Sequence, residues 1–396
     1  LSTTSNIEWT DATWNPVVGC TRVSAGCDNC YAVSMTRRLE GMAKAPGFGG
    51  RKQHYAGLTV LNNRGDRHFN GVVRCVEEAL EIPLRWKQPR RIFVNSMSDL
   101  FHREVPFEFV DRVFAVMALC PQHTFQVLTK RPERMAEYLT TDFRADRIVE
   151  AMPLVAPDRG AWSWPTWKEA LRHVWLGTSC ENQSAADERI PHLLRCPAAV
   201  RFLSCEPLLE EVDVGLQSAT CDCCARWASR WIRLHRPVFS ELHRVLPSLG
   251  PGCVADVGVY RAQSNRHGAL SVKTPGGMLG VKPAEFEAMP AVDWVIVGGE
   301  SGVNARPCNV EWIRSIVRQC RVANVPCFVK QLGSRPEVRH PSDPREVPFY
   351  RDGGFLPPWL PEWAAAWIRS FDRKGGDPSE WPEDLRVREW PKGGAW

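Results

Sequence analysis

No stretch of this chain carries enough consecutive apolar residues to span a bilayer. Its first residues, Leu-Ser-Thr-Thr-Ser-Asn-Ile-Glu, offer neither the basic start nor the apolar stretch of a secretory signal. Both absences predict a cytoplasmic protein with no membrane partner. A large charge of one sign is missing too: 50 basic and 45 acidic residues leave a net charge of +5, too mild to establish nucleic-acid binding. Without a secretion signal, the 15 cysteines are expected as reduced thiols, and the clustered ones as metal ligands. What remains is an ordinary globular composition, 44% hydrophobic and 24% charged, on 396 residues. That suffices for one large α/β domain with additions, or for two domains.

Histidine is absent from the first cysteine cluster of the chain. Residues 15 to 32 read Asn-Pro-Val-Val-Gly-Cys-Thr-Arg-Val-Ser-Ala-Gly-Cys-Asp-Asn-Cys-Tyr-Ala and place Cys20, Cys27 and Cys30 within eleven residues. Gly19 and Gly26 each precede a cysteine, and Tyr31 follows the last. A structural zinc site is normally closed by four ligands, and this stretch supplies three. An open position is what a catalytic iron-sulfur cluster needs, since cubane clusters are held by thiolates and the vacant iron can bind a small molecule. The alternative is three unrelated cysteines in a cysteine-rich chain.

Strand and helix patterns alternate along most of the chain. Val17-Val18 is expected as a short first strand running into the cysteine loop, and Ala32 to Lys44 as a helix stopped by the segment from Pro46 to Gly50. Residues 51–72 are basic and irregular, a surface excursion or a phosphate-facing loop. Further strands are predicted over 90–95, 125–128, 174–176, 200–203, 294–297 and 327–329, with helices over 107–119, 132–138 and 310–323. Polar groups follow these strands: Ser96, Ser98 and Asp99; Lys130 and Arg131; Glu181; Cys205 and Glu206; Gly298, Gly299 and Glu300; Lys330. About seven strands alternating with helices predict an α/β fold, a parallel partial or complete (β/α) barrel with its site at the C-terminal strand face.

Two regions break the alternation. In the insertion 215–290, Cys221, Cys223, Cys224 and Cys253 have the ligand count of a small zinc site, against a plain cysteine-rich insertion. Arg226, Arg230 and Arg233, interleaved with Trp227 and Trp231, suit a nucleic-acid face or an amphipathic helix with a solvated side. The extension 335–396 is rich in Trp and Pro and is expected to pack on the barrel, with Trp359, Trp363 and Trp367 on one helical face. The barrel itself is assigned to 1–214 and 291–334.

The cysteine stretch resembles the cluster loop of the radical SAM superfamily, where three cysteines hold a 4Fe-4S cluster and S-adenosylmethionine chelates the fourth iron. The nearest pattern is that of the spore-photoproduct-lyase-like group, matched at Asn15, Pro16, Gly19, Cys20, Cys27, Cys30, Tyr31 and Ala32. The first spacer departs from it, with six residues between Cys20 and Cys27 where the pattern has three. A flexible loop gains residues at small entropic cost. Much of the chain also resembles a phage-associated family of radical-SAM-like proteins. The shared blocks are Ile-Phe-Val-Asn-Ser-Met-Ser-Asp-Leu-Phe-His at 92–102, Leu-Thr-Lys-Arg-Pro at 128–132, Arg-Phe-Leu-Ser-Cys-Glu-Pro-Leu-Leu at 201–209 and Val-Gly-Gly-Glu-Ser-Gly at 297–302.

The resemblance implies that Cys20, Cys27 and Cys30 bind the cluster and that its reduction cleaves S-adenosylmethionine to a 5'-deoxyadenosyl radical. Gly298, Gly299 and Glu300 resemble the motif that contacts the methionine amino group, on a later strand than usual; Ser96, Ser98 and Asp99 are positional candidates for that role. Lys130, Arg131 and Lys330 are candidates to hold a carboxylate or phosphate, or to pair with Glu181, Glu206 or Glu300. Cys205 is a candidate hydrogen-atom donor, or a buried small hydrophobe. The expectation is a radical SAM enzyme acting on a nucleic acid, nucleobase or related small molecule and served by a reductase or ferredoxin-type electron donor. Two alternatives stand beside it: a zinc-stabilised nucleic-acid-binding protein without catalysis, and a cluster-containing redox or partner-binding protein.

Overall fold

Seven parallel strands form the sheet on which the molecule is built. They are β1 (Ala12–Trp14), β2 (Arg91–Val94), β3 (Thr124–Thr129), β4 (Val174–Ser179), β5 (Val200–Cys205), β6 (Trp294–Gly298) and β7 (Cys327–Gln331), and their spatial order is their chain order. The computed structural model describes residues 5, 7–43, 53–63, 65–159, 171–216, 258–261, 270–274, 277–281, 292–302, 304–337 and 374–391. Every sheet pairing is parallel, for example Phe125 with Val174 and Trp294 with Phe202. β1 and β7 are the two edges of this sheet, so the architecture is a half-barrel and not a closed one. Among the described residues no helix is long and apolar enough to cross a membrane.

Connecting helices cover the convex face. Among the described residues these are α2 (Phe107–Ala118), α3 (Pro132–Leu139), α4 (Arg144–Val155), α5 (Gln183–Arg195) and α6 (Val310–Ala323), whereas α1 (Tyr31–Ala43) packs on a separate small core. The pleat sends alternate side chains to opposite faces. Val94, Val127, Leu176, Leu203, Val297 and Val329 join the helices in the main core, while Phe93, Trp175, Phe202, Trp294 and Phe328 fill the concave side. Burying side chains of this size contributes about 1.5–3 kcal/mol each relative to exposure. Gly177 is required here: a Cβ on it would lie 2.5 Å from the ring of Phe202, its register partner on β5.

Ile7, Trp9 and Trp390, from either end of the described chain, pack into the concave side. Trp9 packs on Phe93 with ring centroids 4.8 Å apart, and Trp390 stacks on Trp294 at 5.1 Å. Residues 387–389 run antiparallel beside β7, with Val329 donating to the Val387 carbonyl at 2.8 Å and Glu389 to that of Cys327 at 2.8 Å. That pairing covers the unpaired backbone of an edge strand. Trp359, Trp363 and Trp367 lie outside the described residues.

Two expectations change. Val17–Val18 is no part of the main sheet; it pairs antiparallel with Arg74–Cys75, because Asn15-Pro16 turns the chain away after β1. Residues 51–72 are less irregular than expected, since Thr59–Leu61 and Arg67–Phe69 form an antiparallel hairpin that packs on α1. In the insertion, Gly258–Arg261, Leu270–Thr274 and Gly277–Val281 form a three-stranded antiparallel sheet of their own. Cys221, Cys223, Cys224 and Cys253, with the zinc site expected of them, lie outside the described residues.

Candidate functional site

The cysteine loop lies across the C-terminal ends of the strands, and its backbone geometry begins at Gly19. That residue has φ +86°, a left-handed conformation that glycine adopts without steric cost. A Cβ there would also stand 2.1 Å from the Val72 carbonyl oxygen. The loop then runs through a 3-10 turn, Ala25–Cys27, and into α1 directly after Cys30. Beneath it, Val18, Ala32, Tyr55, Leu58 and Met97 form a small core of their own, with Cys30 packed at its edge.

Three strand ends hold this loop by charge. After β4, Glu181 is fully buried and accepts from Ser24 of the loop, from Lys130 Nζ at 2.7 Å and from Arg189 Nη1 at 3.0 Å. Burial works against its charge, but Lys130 and Arg189 outweigh it and hold the carboxyl at about 2. After β2, Asp99 accepts from Thr129 Oγ1 at 2.7 Å and from Arg131 Nη1 at 2.8 Å. Arg131 in turn donates to the Thr21 carbonyl at 3.1 Å and hydroxyl at 2.8 Å, and its Nη1 stands 3.9 Å from Cys20 Sγ. After β6, Glu300 accepts from Asn29 Nδ2 at 2.9 Å and is gripped by Arg306, which also donates to the Ala25 carbonyl at 2.8 Å. Burial disfavours the Glu300 charge, and the Arg306 hydrogen bonds more than offset it, lowering the pKa.

The thiols sit in a divided environment. Burial pushes Cys20 up to about 12, Asp99 adds to the rise, and the Arg131 guanidinium opposes it. Cys30 is raised by burial and by the neighbouring Cys27, against backbone hydrogen bonds from Ala32 and Val33 at the start of α1. Among the described residues no three His, Cys, Asp or Glu side chains close around a single metal ion. Cys20, Cys27 and Cys30 are free thiols, and thiolates without histidine are the kind of donor that cubane clusters use.

The other candidates divide between structural and open roles. Ser96 and Ser98 turn their hydroxyls to the N-terminal segment, to Asn15 Oδ1 at 3.2 Å and the Val17 carbonyl at 2.7 Å. Gly298 and Gly299 let β6 approach the chain after β7: a Cβ on Gly299 would stand 2.3 Å from the Leu332 carbonyl oxygen. Lys330 pairs with Glu206 at 3.0 Å across the ends of β7 and β5. Cys205 lies on the convex side, fully buried in the main core with Cys180, Cys320 and Cys327, and burial drives its pKa well up. The structure does not bring it to the cysteine loop.

Several residues of the site carry no local sequence signal. Arg306, Asn29, Ser24, Arg189 and Thr21 meet their partners only through the fold, as the sequence separation of 281 between Ala25 and Arg306 illustrates. His102 belongs to the same group. It accepts from the Glu104 amide at Nδ1 and meets Thr21 Oγ1 at Nε2, 2.8 Å away, and burial with Arg131 nearby holds it neutral at about 4. Asn95, directly after β2, is 2% exposed and has φ 61°. Among the described residues neither its Oδ1 nor its Nδ2 has a hydrogen-bond partner. A buried carboxamide unsatisfied at both atoms costs about 1–3 kcal/mol per group, which a polar ligand at the strand ends would recover.

No curated protein and no solved structure matches the chain. A family model described as protein of unknown function (DUF5131) matches residues 4–353, which takes in the cysteine loop, all seven strands and every loop anchor named above. The chain belongs to that family.

Proposed function

We propose that this protein is a radical SAM enzyme in which Cys20, Cys27 and Cys30 hold a 4Fe-4S cluster at the mouth of the half-barrel. The observation that carries the reading is the attachment of a three-thiol loop to the ends of β2, β3, β4 and β6 by the Glu181, Asp99 and Glu300 networks. An ordinary surface loop has no need of three buried carboxylates. Charged groups buried at such cost are expected where a backbone must be held in one geometry.

When bound, the cluster and S-adenosylmethionine would supply the radical chemistry, and the protein's part is binding, orientation and electrostatics. Arg131, 3.9 Å from Cys20 Sγ, favours the thiolate that a metal requires. Asn95 offers a free carboxamide to a polar group of cofactor or substrate. Lys330, partly exposed and paired with Glu206, can exchange that partner for a substrate carboxylate or phosphate. The substrate class is a nucleic acid, nucleobase or related small molecule, and a reductase or ferredoxin-type donor would deliver the electron.

The test is anaerobic incubation of the reconstituted protein with S-adenosylmethionine and dithionite, followed by chromatography for 5'-deoxyadenosine. Product that disappears in Cys27→Ala supports the reading. A protein that loads iron yet makes none is a redox or partner-binding protein instead.

A further inference from the structure

The positive charge of this chain is not spread evenly. From Cys20 to Cys75 there are nine Lys and Arg against three Asp and Glu, a local +6, whereas the whole chain is only +5 on 50 basic and 45 acidic residues. The rest of the chain is therefore close to neutral, and the excess lies in the segment that carries the cysteine loop, α1 and the hairpin.

Within that segment, α1 displays an ordered outer face. Tyr31, Ser34, Met35 and Arg38 are all exposed and follow i, i+3, i+4, i+7 spacing, so they form one stripe, with Arg37 exposed beside it. Ala32, Val33 and Thr36 turn inward. Tyr31 is 54% exposed although its hydroxyl is tied to the Ser96 carbonyl at 2.5 Å, so the ring is fixed at the mouth while it faces solvent. Arg37 and Arg38 have no hydrogen-bond or ion-pair partner among the described residues. Farther out, Val60 and Leu61 are exposed and line an open depression with Asn62, Asn63 and His68 on the hairpin.

We infer that the outer face of α1 binds a single-stranded polynucleotide, with phosphates on Arg37 and Arg38 and a base stacked on Tyr31 at the mouth. The inference deepens the proposed function and rests on it for what is done to the strand. Sequence-tolerant single-strand binding combines a cationic track with fixed aromatic platforms, and here both begin at the residue after a cluster cysteine. Met35 between them supplies an adaptable apolar contact. An acidic protein surface would be attracted by the arginines but gives no reason for a tethered, exposed tyrosine.

The experiment is fluorescence anisotropy of the full chain with a labelled single-stranded DNA oligonucleotide and its RNA counterpart, across a salt series, with iron measured in the same samples. The pair Arg37→Gln and Arg38→Gln should weaken binding about tenfold and reduce the log–log salt slope by up to about 1.4, the value for two lost phosphate contacts on a single strand. Arg318→Gln, an exposed arginine on α6, should change neither. Absence of binding at low salt, or an unchanged slope in the double variant, would overturn the inference. Polyglutamate bound as tightly as the oligonucleotide would overturn it in favour of a protein partner. Iron without oligonucleotide binding sinks this inference alone, and binding without iron sinks the cluster reading alone.

Discussion

Gly26 lies directly on Glu181: a Cβ at Gly26 would stand 2.9 Å from the carboxyl carbon of Glu181 and 2.9 Å from Lys130 Nζ. Lys130 is the end of a flexible side chain and can move, but Glu181 is fixed from both sides by Lys130 and Arg189. Gly26→Ala should therefore displace the cysteine loop and leave the half-barrel intact. We expect iron retained after reconstitution to fall several-fold while the thermal midpoint shifts by only a few degrees. Full iron retention in that variant would show that the close approach has no bearing on the loop.

Removing the Glu181 charge should be far more costly. Glu181→Gln leaves Lys130 and Arg189 without their common partner, and breaking a buried pair of this kind costs about 3–5 kcal/mol. The pH dependence has a definite sign. The folded carboxyl is held at about 2, below its ordinary value of 4.5, so its stabilisation is fully present above about 4.5 and is lost as pH falls toward 2. Denaturant midpoints should decline across that window in the wild type and decline less in Glu181→Gln. Parallel declines would mean that other carboxylates govern acid unfolding.

Glu300 and Arg306 form an anchor that can be separated from a ligand role. Arg306→Ala leaves Glu300, 7% exposed, with Asn29 as its remaining side-chain partner among the described residues and leaves the Ala25 carbonyl with the Asp28 amide alone. Loss of hydrogen bonds to a charged group costs about 1.5–3 kcal/mol. Adding Glu300→Gln removes the uncompensated charge, so the double variant should be more stable than Arg306→Ala alone. If Glu300 instead binds a cofactor amino group, the double variant recovers stability but its S-adenosylmethionine affinity falls relative to Arg306→Ala. Isothermal titration beside thermal melts distinguishes these results.

Much of the scaffold can be read directly from the residues. Apolar runs closed by Thr129-Lys130-Arg131 or Gly298-Gly299-Glu300 mark strands, and the stripe through Ile313, Ile316, Val317 and Cys320 marks α6. The helices α4 and α5 are harder, since each contains a proline, Pro153 and Pro191, where the rule is that proline ends a helix. In α5 the Asn182 side chain capping the Ala185 amide at 2.9 Å is the better signal. The loop thiols are legible because they are close in sequence. Their anchors are not, because Arg306 and Glu181 reach the loop only after strands far apart in the chain are laid side by side.

Asn95 offers a test in which stability and binding should part. Its left-handed φ suits glycine, so Asn95→Gly should hold stability within about 1 kcal/mol of the wild type while removing the unpartnered carboxamide. S-adenosylmethionine or substrate affinity should fall at the same time. A variant that binds both normally would assign Asn95 a conformational role only.

Cys205 should prove dispensable for the chemistry. It is fully buried on the helix-facing side of β5, so Cys205→Ala is expected to leave 5'-deoxyadenosine formation unchanged. Cys205→Ser places a hydroxyl in that apolar core and should cost about 1–3 kcal/mol if left unsatisfied. Loss of product formation in the alanine variant, at wild-type iron content, would restore the donor role.

The most direct test of the account is anaerobic reconstitution with quantified iron and sulfide, followed by electron paramagnetic resonance of the reduced protein with and without S-adenosylmethionine. The account predicts about four irons per chain, lost in Cys27→Ala, and a spectrum perturbed by S-adenosylmethionine, as expected for a cubane with one open iron. Zinc alone, with no cluster after reconstitution, would contradict it and make the cysteine loop a structural element of a binding protein.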